Sequence, residues 1–253
     1  LGKPRPGRRE RPVGTSADRA AGTGGNWTPL KHATSAYVRG LGRTDSTGRA
    51  RRVLARHVPL LGGAAGAAGS ARAGRSGVTR LGGLLAGLGT GTAGQALTAI
   101  GLGHLVGQDR FTVLDELVTY IAGTGDDLDS GAARDAACDV LDEVFGDADA
   151  WEELDQVSVD RDQLGTILER FLALYVYNRV PVVAERLSRL TDPVAMRKAD
   201  QEMREIIADL VAIELPADPL SVDWAGAQGR TIAETAIASA YELLSALEDQ
   251  ERP

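Results

Sequence analysis

From residue 109 to the end of the chain, apolar residues recur every three or four positions, and no run alternates convincingly with period two. Val113, Leu114, Leu117, Val118 and Ile121 make one stripe, and Ala133, Ala137, Val140, Leu141 and Val144 make the next. A third, longer one runs through Leu164, Leu168, Phe171, Leu172 and Tyr175. This spacing puts each set on one side of an α-helix, and faces of this kind are buried by packing on one another. Pro181 predicts a break after the third helix, because it removes the amide that would bond Tyr177. Asp192-Pro193 reads as an N-cap followed by a first-turn proline, opening a helix striped by Met203, Ile206, Ile207, Leu210 and Val211. After a loop around residues 216–229, a last helix carries Ile237, Ala240, Tyr241, Leu244 and Leu247. Composition agrees with helices: aromatics are 4% of a chain that is 43% apolar, whereas strands draw on aromatic and β-branched residues.

Upstream the pattern is weaker. Leu1 to Pro12 carries Lys3, Arg5, Arg8, Arg9 and Arg11 among three prolines, with too little apolar surface to fold alone. A Gly/Ala/Thr stretch continues to residue 26, and Trp27 is the first large apolar anchor. Thr28 as N-cap with Pro29 behind it predicts a helix to about Gly40, and a second helix is expected over 47–61. Residues 62–80, rich in Gly, Ala, Ser and Arg, read as a mobile basic connector or a glycine-weakened helix. The expected fold is all-α. It comprises a disordered basic, glycine-rich tail (1–26), a Gly/Arg-rich helical region (27–108) and an acidic helical bundle (109–253).

Charge divides along the same line. Residues 1–110 hold 17 Lys+Arg against 4 Asp+Glu, and residues 111–253 hold 11 against 31; glycine falls 24 and 7. Such asymmetry marks a basic segment suited to an acidic partner, which the acidic half of the chain could itself supply. An alternative reading is a nucleic-acid-binding module using Arg49, Arg51, Arg52, Arg56, Arg72, Arg75 and Arg80. No aromatic accompanies these arginines closely enough for base stacking, which counts against it. Cys138 is the only cysteine, so the chain can form no internal disulfide, and a reducing cytoplasm is the expected compartment.

Motifs that suggest chemistry have plainer readings. Residues 89–94 spell G-x-G-x-x-G, but a dinucleotide fingerprint needs a β-strand before it, and here Leu81-Gly-Gly-Leu-Leu-Ala-Gly-Leu precedes it. No cofactor is expected. Residues 81–103 carry no charge, which raises a membrane-anchored sensor as a further alternative; eight Gly, three Thr and Gln95 among them argue against insertion. Gly83, Gly87 and Gly91, four apart, suggest a face where another backbone approaches closely. His32, His57 and His104 have no carboxylate or cysteine at ligand spacing, so no metal site is expected. Acid pairs such as Asp126-Asp127, Asp142-Glu143 and Glu152-Glu153 read as solvated faces, and Cys138, beside its helix stripe, as a small core residue. The chain is therefore read as non-catalytic.

Four segments, taken in order, carry a resemblance. Gly14-Thr15-Ser16, the Trp27-Thr28 helix start, RAGRSGVTRLGGLLAGL at 72–88 and GLGHLVGQ at 101–108, followed by an acidic bundle, are similar to the QatB family, a component of the four-gene Qat anti-phage defence system of bacteria. The resemblance implies a non-catalytic adaptor that works with an ATPase, a QueC-like enzyme and a TatD-like nuclease. It further implies that the QueC-like enzyme attaches a deazaguanine group to the terminal glycine of this partner, making Gly14 the acceptor and Thr15 and Ser16 the recognition tail. Residues 1–13, which the family pattern lacks, are then expected to lie upstream of the translated start, with Val13 encoded by an alternative start codon. Trp27, Arg72, Arg75 and Arg80 are the expected partner-binding residues.

Overall fold

The computed structural model describes residues 27–41, 45–146, 148–180 and 192–247. Residues 1–26, with the Gly14-Thr15-Ser16 tail, and Pro181 lie outside that set. Among the described residues there are eleven α-helices and no strand.

The helices are α1 (Thr28–Arg39), α2 (Ser46–His57), α3 (Gly63–Ser70), α4 (Arg72–Thr90), α5 (Ala93–Ala99), α6 (Arg110–Ala122), α7 (Leu128–Phe145), α8 (Trp151–Leu154), α9 (Arg161–Asn178), α10 (Pro193–Ala208) and α11 (Ala227–Ala246). Five of the eleven begin at a residue whose side chain accepts an otherwise unpaired backbone amide. Asp109 accepts from Thr112, Asp127 from Ser130 and Asp192 from Val194, while Thr92/Gln95 and Asp160/Gln163 form reciprocal capping boxes. At α1 the cap falls one residue earlier than expected, on Trp27, with Thr28 and Pro29 in the first turn. The second predicted helix tightens to a 3-10 turn over Val58–Leu61, where Pro59 supplies no amide.

Residues 62–80 are not a connector. They form α3 and the first half of α4, a 19-residue helix that packs on α9, α11, α5, α6 and α7. Its glycines admit large side chains: a Cβ at Gly74 would collide with the Tyr175 ring, one at Gly77 with Phe171, and one at Gly82 with Trp224. The tightest approaches are therefore at these positions, and of the predicted Gly83, Gly87 and Gly91 two do not share them. A Cβ at Gly83 would meet nothing nearer than 3.7 Å, and Gly91 ends the helix against Gln95; only Gly87, pressed on Ala96, fits the expectation.

The predicted stripes are the core. Val113, Leu117, Ile121, Ala133, Ala137, Val140, Leu164, Leu168, Phe171, Ile207 and Ile237 are each at most 1% exposed. One continuous apolar cluster joins them to Leu81, Leu84, Leu85 and Leu88 of α4, so the core includes residues from both charge halves. Cys138 departs from expectation. It is exposed, because one step past Ala137 is a 100° turn away from the buried face. No described helix is long and apolar enough to cross a membrane.

Candidate functional site

The arginines of α4 do different things. Arg75 donates to the carbonyls of Ala68 and Gly69 at the end of α3. Arg80 donates to the Tyr120 carbonyl at 2.8 Å, in the last turn of α6, and lies 5.7 Å from the Tyr120 ring centre. Arg110 likewise reaches the Gly146 and Ala148 carbonyls after α7 while pairing with Asp142 at 2.7 Å. Carbonyls at a helix C-terminus lack intrahelical donors and carry the negative end of the dipole, so guanidinium groups suit them. Arg72, by contrast, is exposed, as is Trp27 at 41%. Of the four expected partner residues, these two face outward and Arg75 and Arg80 hold helix ends.

Beneath this surface lies a polar centre that the sequence did not disclose. Arg179, 4% exposed at the end of α9, donates to the Ala67 carbonyl at 3.1 Å, the Ser70 hydroxyl at 2.8 Å and the Tyr241 hydroxyl at 2.7 Å. Its Nε stands 3.5 Å from Asp129 of α7. Asp129 in turn accepts from the Ala73 amide at 2.8 Å, capping α4, and from the Tyr175 hydroxyl. The Arg179 guanidinium also lies over the Tyr175 and Tyr241 rings, at 5.6 and 5.5 Å. Burial opposes its charge, but Tyr241, Tyr175 and Asp129 outweigh that and hold its pKa above the usual value. Burial pushes Tyr241 up to about 12, so its hydroxyl stays protonated at neutral pH. His57 packs nearby, 3% exposed, and neither ring nitrogen has a hydrogen-bond partner among the described residues. Burial first, then the Arg179 charge, lowers its pKa to about 4; the nearby Arg179 backbone offsets only part of this.

A second cluster ties α10 to α1, α2 and α9. Glu202 of α10 accepts from Ser46 and Thr47 at the start of α2, both at 2.8 Å, and from Tyr37 at 2.9 Å. Asp200 accepts from Tyr177 and pairs with Arg204 at 2.9 Å. In both clusters, His57 apart, the polar groups satisfy one another across elements, which fixes how the helices are arranged.

The remaining motifs resolve in the same direction. The G-x-G-x-x-G at 89–94 is the break between α4 and α5, and the Asp155 carboxylate accepts from the Gly94 amide at 2.7 Å, where a dinucleotide fingerprint would place phosphate. Glu143, Asp160 and Asp162 line a cleft of about 340 Å³ beside α9. Asp160 is engaged as the α9 cap and Glu143 lies 3.5 Å from Arg170. No group of three potential metal-ligating side chains occurs among the described residues. Partial burial, Asp135 and Asp139 push the Cys138 thiol above its usual pKa, away from reactive thiolate.

A profile for the family described as Qat anti-phage system associated protein QatB matches residues 62–244, well over half of the chain. The chain belongs to the QatB family. Membership gives it a place in Qat anti-phage defence, alongside other components of that system. No curated protein and no solved structure matches the chain. The QatB match takes in α3 to α10, α11 but for its last two residues, and nearly the whole polar centre, including Arg179, Asp129, Tyr175 and Tyr241, with only His57 outside it. Of the four resembling segments it contains residues 72–88 and 101–108; the Gly14-Thr15-Ser16 tail and Trp27-Thr28 precede it.

Proposed function

We propose that this QatB-family chain is a non-catalytic adaptor. Its helical body docks on another Qat component while the segment ahead of Trp27 is offered to a QueC-like enzyme, which modifies Gly14 within the Gly14-Thr15-Ser16 tail. The single observation that carries the adaptor reading is the mutual engagement of the charged and hydroxyl groups of its polar centre. Arg179, Asp129, Tyr175 and Tyr241 are engaged with one another and with the facing ends of α3 and α4, so their role is to hold a shape. The exposed apolar groups supply the docking chemistry: Phe111 is 82% exposed at the start of α6, and Trp27 opens α1. The tail reading rests on the likeness of Gly14-Thr15-Ser16 to the family pattern and on the chemistry of small residues, which fit an enzyme pocket and present a nucleophilic α-amine once Gly14 is the chain end.

The test is to express the chain with its neighbouring ATPase, QueC-like and TatD-like genes, and to measure intact mass and copurification. The expected product starts at Gly14, carries a deazaguanine-sized adduct, and elutes with a neighbour. A mass without adduct overturns the tail reading, and elution alone overturns the adaptor reading.

A further inference from the structure

Between α4 and α11 the surface forms a cleft of about 280 Å³ lined by Arg72, Arg75, Ser76, Thr79, Arg230 and Glu234. Three guanidiniums and one carboxylate meet there, on a chain whose formal charge is −7. Two of the arginines are oriented by backbone: Arg75 by the Ala68 and Gly69 carbonyls, and Arg230 by the Ala225 carbonyl at 3.0 Å. A carbonyl fixes a guanidinium without cancelling its charge, and each of these groups has five donors, so others remain available. Among the described residues none of the three arginines stands in an ion pair. Asp127, held low chiefly by its bonds from Ser130, is influenced by Arg72 only as a lesser effect.

We propose that this cleft binds a small phosphate monoester. The guanidinium fork fits carboxylate and phosphate alike, so charge decides between them. Three arginines against Glu234 leave two positive charges unmatched; a phosphate monoester brings about −1.5 to −2 at neutral pH, whereas a carboxylate would cancel only half. The Ser76 hydroxyl adds a donor. The space exceeds a bare phosphate, and Glu234 offers an acceptor for a hydroxyl or amine on the ester's organic part. The proposal is independent of the adaptor reading, since it concerns the isolated chain.

Calorimetric titration of the full chain in 0.15 M salt, about a physiological ionic strength, tests it with adenosine monophosphate, ribose 5-phosphate, inorganic phosphate and adenosine as probes. Both esters are expected to bind saturably with a dissociation constant below about 1 mM, inorganic phosphate more weakly, and adenosine not at all. Arg230→Gln and Arg72→Gln, both at exposed positions, each weaken ester binding about tenfold with unchanged helical melting, while Arg161→Gln, outside the cleft, leaves it unchanged. Absence of saturable ester binding overturns the proposal, as does equal affinity in the Arg230→Gln and Arg72→Gln variants. Arginine-dependent binding of a phosphoserine peptide without binding of either free ester would overturn it as well, by assigning the cleft to a protein partner.

Discussion

At the scale of single residues, arginine is the fold's fastener. Arg75, Arg80, Arg110 and Arg179 each meet carbonyls that end a helix, which explains how a glycine-rich, arginine-rich segment is structural. Removing Arg179 would leave the Asp129 carboxylate without its cationic partner among buried tyrosines. Arg179→Ala is expected to cost about 3–5 kcal/mol in denaturant unfolding. His57 gives a pH signature whose sign follows from its depressed pKa. In the fold it stays neutral down to about pH 4, whereas the unfolded chain takes up a proton near its ordinary value of 6.5. The unfolded state thus gains protons first as pH falls. Stability fully present above pH 6.5 drops by about 3 kcal/mol on approaching pH 4. Unfolding midpoints measured across that window should show the slope in the parent chain and its loss in His57→Leu. Little of this centre was legible in the sequence: helical spacing put Tyr175 and Tyr241 on buried stripes but gave no sign of their polar partners. Asp129, Arg179, Ser70, Tyr241 and His57 come from separate elements, and no local spacing links them.

At the scale of elements, the stripes from Val113 onward were legible because helical periodicity is a local property, and the buried faces follow it, with Leu114, Val144 and Leu210 only partly buried. Cys138 shows its resolution: one step off the stripe is enough to exchange core for solvent. The face of α4 was not legible, because which glycines must stay bare depends on Tyr175, Phe171 and Trp224, far along the chain. Two substitutions separate crowded from open glycines. Gly77→Ala drives a methyl into the Phe171 ring and should destabilise by about 1–3 kcal/mol. Gly131→Ala, within α7 where a Cβ meets nothing within 4 Å, should stabilise by about 0.5–1 kcal/mol, since it limits the unfolded chain and suits a helix. Thermal and denaturant midpoints check both.

At the scale of the whole molecule, the division of charge near residue 110 does not divide the packing. The helix that carries Arg72, Arg75 and Arg80 runs against α6, α7, α9 and α11 of the acidic half, and one apolar cluster serves both. The most exposed aromatic, Phe111, follows directly on Arg110, where the two halves meet. If this is where a Qat component docks, Phe111→Ser should abolish copurification while leaving the melting temperature within about 1 °C, because an exposed side chain contributes little to the fold. On the function proposed above, this body contributes shape and contact, with no reacting group of its own. Phage plating on cells carrying the chain together with the other Qat components is the test, using a variant that combines Cys138→Ser, His104→Gln and Asp162→Asn at exposed groups suited to nucleophilic or acid–base work. Undiminished protection by this variant is expected, and lost protection by Phe111→Ser. Loss of protection in the triple variant, folded and with an unchanged melting temperature, would contradict that function.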